Sequence, residues 1–332
     1  MKSSGEERGL IPESATAPPD FSAAVQPSYV RTVFLGPDGL RAGWGLAFYV
    51  AMFYPLQFAL GGVWLGNLHA GWLWSMILDE FGMLVAAVVP ALVLARVERR
   101  QWGRYGLPGR EVFGKLFGLG AVWGFGSITL LLATMYGLRV FAVGHLAMHG
   151  GRIAKFAAFW AMFFLLVGFL EEFLLRGYSQ FTLTRAIGFW PAAALLSCTF
   201  GLIHIRNGGE QWPGLLAVVV IGFFFCLTLR RTGSLWFAVG FHAAWDWGET
   251  FFYSVPDSGT MFPGHLLKSS FHGPRWLTGG MVGPEGSVLC FVVIGVVWVA
   301  FARTYRDVKW SGVEPLASLA GQPRRPSPQE HS

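Results

Sequence analysis

What most constrains this 332-residue chain is the run Phe156–Phe169, written FAAFWAMFFLLVGF, and the several others like it. Apolar stretches of about 18 residues or more are too long for strands and too oily for a surface helix, so they read as membrane spans. Eight candidate spans follow, at approximately 43–65, 73–95, 112–136, 154–176, 188–206, 213–230, 233–254 and 282–302. Asp79 and Glu80 fall near the start of the second and are expected at the interface. Only 13% of residues are charged, against about 25% in soluble domains. The expected fold class is an all-α, polytopic membrane helical bundle of about eight transmembrane helices.

Lysine and arginine set the orientation. Of 25 such residues, Arg139, Arg152, Lys155, Arg206, Lys268 and Arg275 lie on one side, and the other 19 fall in the termini and alternate connections. Both termini are therefore expected in the cytoplasm, which requires an even number of spans. Residues 1–40 read as a disordered cytoplasmic tail rather than a signal peptide, because the start is polar and rich in Pro, Ser and Ala. Residues 304–332 read as a second tail. Residues 41–303 form the transmembrane domain. Cys198, Cys226 and Cys290 sit in apolar runs without CxxC spacing and read as small buried hydrophobes. The net charge of +6 fits basic cytoplasmic loops, and no basic–aromatic constellation points to nucleic acid.

Charged groups inside a bilayer are costly, so each is a functional suspect. Three sites stand out. LEEFLLR places Glu171 and Glu172 at the end of an apolar run with Arg176 one turn on. Adjacent helical residues point about 100° apart, so the two carboxylates cannot share one job. Glu172 and Arg176 form an i,i+4 pair with the acid first, leaving Glu171 free for chemistry. FGLIH sets Phe200 and His204 on one face, and HAAWD does the same for His242 and Asp246. Two histidines and three acids in one bundle suggest a water-activating or a metal-binding centre. Glu171 and His204 reach matching heights only if the fourth span continues past Arg176 through GYSQFTLTRA to a turn at Gly188. The spacing places His242 at a less closely matched height. His69, His145, His149, His265, His272 and His331 fall in loops or the tail, and HLAMH lacks the glutamate of a zinc HExxH motif.

In this order, EExxxR, FxxxH and HxxxD resemble the CAAX-protease and bacteriocin-processing (CPBP) family of intramembrane proteases. The resemblance covers a core of residues 154–254. It implies peptide-bond hydrolysis in the membrane, with Glu171 as general base on water and His204 helping to position that water. It further implies that His242 and Asp246 stabilise the oxyanion, while Glu172, Arg176 and Phe200 support the site. Asp246 departs from the asparagine of better-studied members, and an ionised carboxylate cannot donate a hydrogen bond. An ionised Asp246 would instead accept from His242 and hold its ring.

The implied substrate is a protein or peptide with a lipidated or hydrophobic C-terminal tail, met in the lipid bilayer, the implied location being a bacterial cytoplasmic membrane. No cofactor is expected. The alternatives are a zinc-dependent version with Glu171, His204 and His242 as ligands, a proton-coupled transporter using the same residues as a relay, and a non-catalytic scaffold.

Overall fold

The computed structural model describes residues 29–36, 39–64 and 71–310. A short α1 (Tyr29–Phe34) enters an antiparallel hairpin of β1 (Leu35–Gly36) and β2 (Gly39–Leu40). Then come α2 (Ala42–Gln57) with a π-helical extension (Phe58–Trp64), α3 (Trp72–Val97), α4 (Lys115–Gly137) and α5 (Gly151–Leu174). A π-helical turn (Leu175–Ser179) joins α5 to α6 (Gln180–Ile187), followed by α7 (Phe189–Ile203) and α8 (Trp212–Thr232). Helix α9 (Trp236–Trp247) runs into a π-helical segment (Gly248–Tyr253), and a short α10 (Arg275–Thr278) precedes α11 (Val288–Thr304). Strands β3 (Phe141–Ala142) and β4 (Ser270–Phe271) pair antiparallel.

The helical membrane bundle stands; the count of eight spans is not confirmed. Among the described residues six helical runs are long and apolar enough to cross a bilayer: Ala42–Gly61, Trp72–Val97, Lys115–Gly137, Gly151–Ile187, Phe189–Arg206 and Trp212–Thr232. The other two expected spans are a 12-residue α9 with its π extension and a 17-residue α11. Helix α9 is enclosed rather than lipid-facing. Trp236, Phe237, Ala238, Val239, Gly240, Phe241, Ala243, Trp245 and Asp246 are all buried, so its apolar character reflects packing against other helices.

The connections gather at two ends. At one, Arg185 reaches Glu98 (3.3 Å) and the carbonyl of Leu40 (3.4 Å), Leu235 N–H donates to Gly106 (2.6 Å), and Lys309 N–H donates to Arg230 (3.0 Å). At the other, Leu146 bridges to Leu267 and Asn207 donates to the Ser258 carbonyl (3.1 Å). The basic connections thus share one end of the bundle. Parts of the expected tails are ordered against it: Trp310 packs on Phe189 at 5.7 Å and donates to the Arg104 carbonyl at 3.3 Å. The remainder of the tails, residues 1–28 and 311–332, lies outside the described residues.

Helix α9 meets α4 backbone to backbone. A Cβ on Gly120 would stand 2.1 Å from the Phe237 carbonyl oxygen, one on Gly124 2.1 Å from that of Phe241, and one on Gly240 2.2 Å from that of Phe117. Gly120-xxx-Gly124 is thus a small-residue seam of the kind that lets membrane helices approach closely. Gly124→Ala should destabilise the protein by about 1–3 kcal/mol by prising α4 from α9. Gly126→Ala, two residues on and open to space within 4 Å, should be neutral or slightly stabilising. Thermal melts of the two variants in detergent check this contrast.

Candidate active site

The opening carboxylates sit mid-bundle because the fourth helix does not stop at Arg176. Gly151–Ile187 is one helical run of 37 residues. At about 1.5 Å per residue it exceeds the hydrocarbon thickness, and it bends on the way. Gly177 leaves helical geometry (φ −80°, ψ −114°), and the Ser179 hydroxyl donates to the Leu174 carbonyl at 2.7 Å. A π turn of this kind, frequent at functional sites, begins three residues after Glu172 and contains Arg176.

Glu172 and Arg176 pair at 3.2 Å, and both side chains are fully buried. The guanidinium also lies over the Phe200 ring, 4.4 Å from its centroid. Gly222 of α8 makes room for it, since a Cβ there would stand 2.6 Å from Arg176 Nη2. The same Glu172 oxygen, Oε1, faces His242 Nδ1 at 3.2 Å. An ionised carboxylate only accepts, so Nδ1 carries the proton in this contact. On the other side of the ring, Nε2 stands 3.6 Å from Glu171 Oε2 and 3.4 Å from Asp246 Oδ2. One imidazole therefore touches three carboxylates from two helices. Gly168 allows this, for a Cβ there would press on α9 at Val239 O and Ala243 N, both 3.2 Å away. Phe225 stacks on the imidazole at 5.5 Å.

His204 caps α7 and enters from a third helix. Its Nδ1 donates to the Phe200 carbonyl at 2.9 Å, and its ring stands edge-on to Phe200 at 4.9 Å. The neutral ring then presents Nε2 as an acceptor. Phe200 thus links His204 to Arg176. Glu171, Phe200, His204, His242 and Asp246 all line one cavity of about 220 Å³. Glu172 and Arg176 lie behind its wall. The side chain of Glu171 is 20% exposed where that of Glu172 is 0% exposed.

The cavity also contains residues that sequence reasoning missed. Glu80 of α3 lines it rather than sitting at the interface. Its signal was there, an acid inside an apolar run. Asn207, Ser258, Thr260 and Glu285, all partly exposed, line it together with buried Asp257; they come from connections at the end remote from the basic loops, and we take this partly exposed rim as its mouth. The turn residues of VPDSG and the acid of GPEGS marked a loop without marking its destination. The two mouth loops touch closely: a Cβ on Gly209 would stand 2.2 Å from the Gly259 carbonyl oxygen. The zinc set considered from sequence, Glu171, His204 and His242, lines the same cavity. Among the described residues, the metal-ligating side chains whose donor atoms converge within 4.8 Å are instead Glu249, Asp257 and Glu285.

Fold and site together define a helical integral-membrane protein with a carboxylate–histidine centre enclosed in the bundle. Residues 153–248 match a family model described as Type II CAAX prenyl endopeptidase Rce1-like. This bears out the resemblance read from the three motifs and supports a CAAX-type intramembrane protease in general terms. No curated protein matches the chain.

Proposed function

We propose that the protein is an intramembrane endopeptidase that hydrolyses a peptide bond near a hydrophobic C-terminal segment, with Glu171 activating the water. The observation that carries this reading is the contrast between neighbours. Glu171 opens on the cavity, whereas Glu172 is sealed against Arg176 and His242. Glu171 takes a proton from water, and the hydroxide adds to the carbonyl carbon. Protonated His242 faces the oxyanion that results, held by Glu172 on one nitrogen and by Asp246 near the other. The C–N bond then breaks, and the proton on Glu171 passes to the leaving amine. His204 Nε2 is free to accept from the water or from a substrate N–H. Fixed donors in a dry site stabilise developing charge far more than water does.

The mouth of the cavity supports a choice between tails. It lies at the end opposite the basic connections, which the positive-inside rule makes the non-cytoplasmic end. The matched family's name refers to prenylated tails, and prenylated cysteines with polybasic neighbours sit at the cytoplasmic leaflet. We therefore favour a membrane-spanning tail cut at its non-cytoplasmic junction. Purified protein in proteoliposomes should cleave a reporter carrying such a tail, and a prenylated peptide poorly. Preference for the prenylated peptide would reverse the choice of tail, and no cleavage of either would favour a scaffold.

The family resemblance implies that no transition metal is required at this centre, and the proposed mechanism uses none. Activity should survive 1,10-phenanthroline, and bound zinc lost and restored in step with activity would overturn that statement. Asp246→Asn keeps an acceptor beside Nε2 and should retain most turnover. Asp246→Leu should lose on the order of a hundredfold. Full activity in Asp246→Leu would remove this residue from the mechanism.

A further inference from the structure

Next to the hydrolytic centre is an acidic cluster that the mechanism leaves unused. Glu249 sits in the π-helical end of α9, Asp257 in the loop after it, and Glu285 just before α11. One carboxylate oxygen from each lies within 4.8 Å of the others. Three carboxylates so close repel strongly unless protons or a cation intervene.

Two of the three are oriented by donors. Glu285 Oε1 accepts from Trp245 Nε1 at 3.1 Å, and Oε2 accepts from the backbone N–H (3.0 Å) and hydroxyl (2.9 Å) of Ser258. Asp257 Oδ2 accepts from the Thr250 hydroxyl at 3.1 Å. Glu249 is different. It is 0% exposed, and neither of its carboxylate oxygens meets a donor at hydrogen-bond geometry, the nearby Trp245 indole being the nearest candidate. Trp245 donates its single N–H to Glu285 instead. A fully buried carboxylate with both oxygens unmet carries a large desolvation penalty, so an unpartnered group is aimed at the place where the other two carboxylates converge.

We propose that Glu249, Asp257 and Glu285 hold a divalent calcium ion that staples the end of α9 to the loops forming the cavity mouth. The donors are all oxygen, as a hard cation prefers. Calcium–oxygen distances of about 2.3–2.6 Å put oxygens on opposite sides of the ion about 4.6–5.2 Å apart, the scale of this cluster. Magnesium demands near-ideal octahedral geometry at about 2.0–2.1 Å, a stricter arrangement than three carboxylates spread over as much as 4.8 Å provide. The Trp245, Ser258 and Thr250 contacts are the outer hydrogen bonds that orient metal-binding carboxylates. Because Asp257, Ser258 and Glu285 also line the cavity, the ion would fix the mouth through which a substrate enters. This inference does not depend on the protein being a hydrolase.

The test uses full-length protein purified in detergent, with terbium as a luminescent calcium surrogate. Excitation of tryptophan should give saturable terbium emission through Trp245, competed by calcium and not by equal magnesium. Trp245→Phe should weaken the emission while calcium still protects against unfolding. Calcium at about a hundredfold excess over its Kd should raise the melting temperature by on the order of 5 °C relative to EGTA. Glu249→Gln, an isosteric change that removes buried charge, should fold and lose both the emission and the calcium shift. If wild-type protein shows no calcium-dependent shift and no competed emission, the carboxylates are held by shared protons and the proposal fails. Equal protection by magnesium overturns the choice of ion.

Discussion

Glu171→Gln is expected to lower turnover of a cleavable membrane-tail reporter by about a thousandfold or more, while leaving the melting temperature close to wild type. A positioned general base contributes about 10²–10⁴-fold, and in the proposed mechanism the same group would also return the proton to the leaving amine. Glutamine has the same shape and cannot take a proton. Stability should be spared because Glu171 is the partly exposed member of the pair and its nearest charged contact is His242 Nε2 at 3.6 Å, beyond ordinary hydrogen-bond length. His242 keeps its stronger contact to Glu172 at 3.2 Å. Glu80→Gln is the control, since that carboxylate lines the same cavity without touching His242, and should cost no more than about tenfold. Wild-type turnover in Glu171→Gln would remove the chemistry from this residue. Equal loss in both variants would point to the cavity's overall charge.

Much of this arrangement was legible in the sequence, for physical reasons that also mark where legibility ended. An ionisable group in an apolar run is expensive, so EExxxR, FxxxH and HxxxD stood out against their background. The i,i+4 spacing of Glu172 and Arg176 required no tertiary information. His242 was harder: its sequence partner Asp246 shares its helix, while its shortest contact, Glu172, is 70 residues away. Spacing also set its height too far from that of Glu171, because α9 begins only at Trp236 and is enclosed, not stretched across the bilayer. The number of spans stays open for a related reason, as apolar composition cannot separate burial in lipid from burial in protein. Glu249, Asp257 and Glu285 come from three different segments brought together only by the packing of α9, α11 and their loops. Asp257 and Glu285 sit in polar connections, where an acid raises no suspicion.

The second large effect concerns Glu172, where structure and chemistry meet in one oxygen. Oε1 faces both Arg176 Nη1 and His242 Nδ1, each at 3.2 Å. Glu172→Gln leaves a fully buried guanidinium without a counter-charge, and breaking a buried pair from one side typically costs about 3–5 kcal/mol. Arg176→Met should destabilise too, but by less, because Glu172 keeps its contact to His242 Nδ1 at 3.2 Å. The double variant should be distinctly more stable than the sum of the singles predicts, because neither charge is then left alone. The remaining contacts of Arg176 explain why recovery should be incomplete. Its guanidinium fills the niche at Gly222 and covers Phe200, and a methionine reproduces the volume without the cation–π attraction. Activity should not recover with stability. With glutamine at 172, His242 Nδ1 keeps only a neutral amide oxygen in place of the carboxylate charge that favours its protonated form, and with methionine at 176 no guanidinium lies over Phe200, the ring that His204 packs against. Thermal melts and reporter turnover on the two singles and the double separate these outcomes. Additive destabilisation would mean that the pair is not coupled, and restored turnover in the double would mean that Glu172 supports the fold alone.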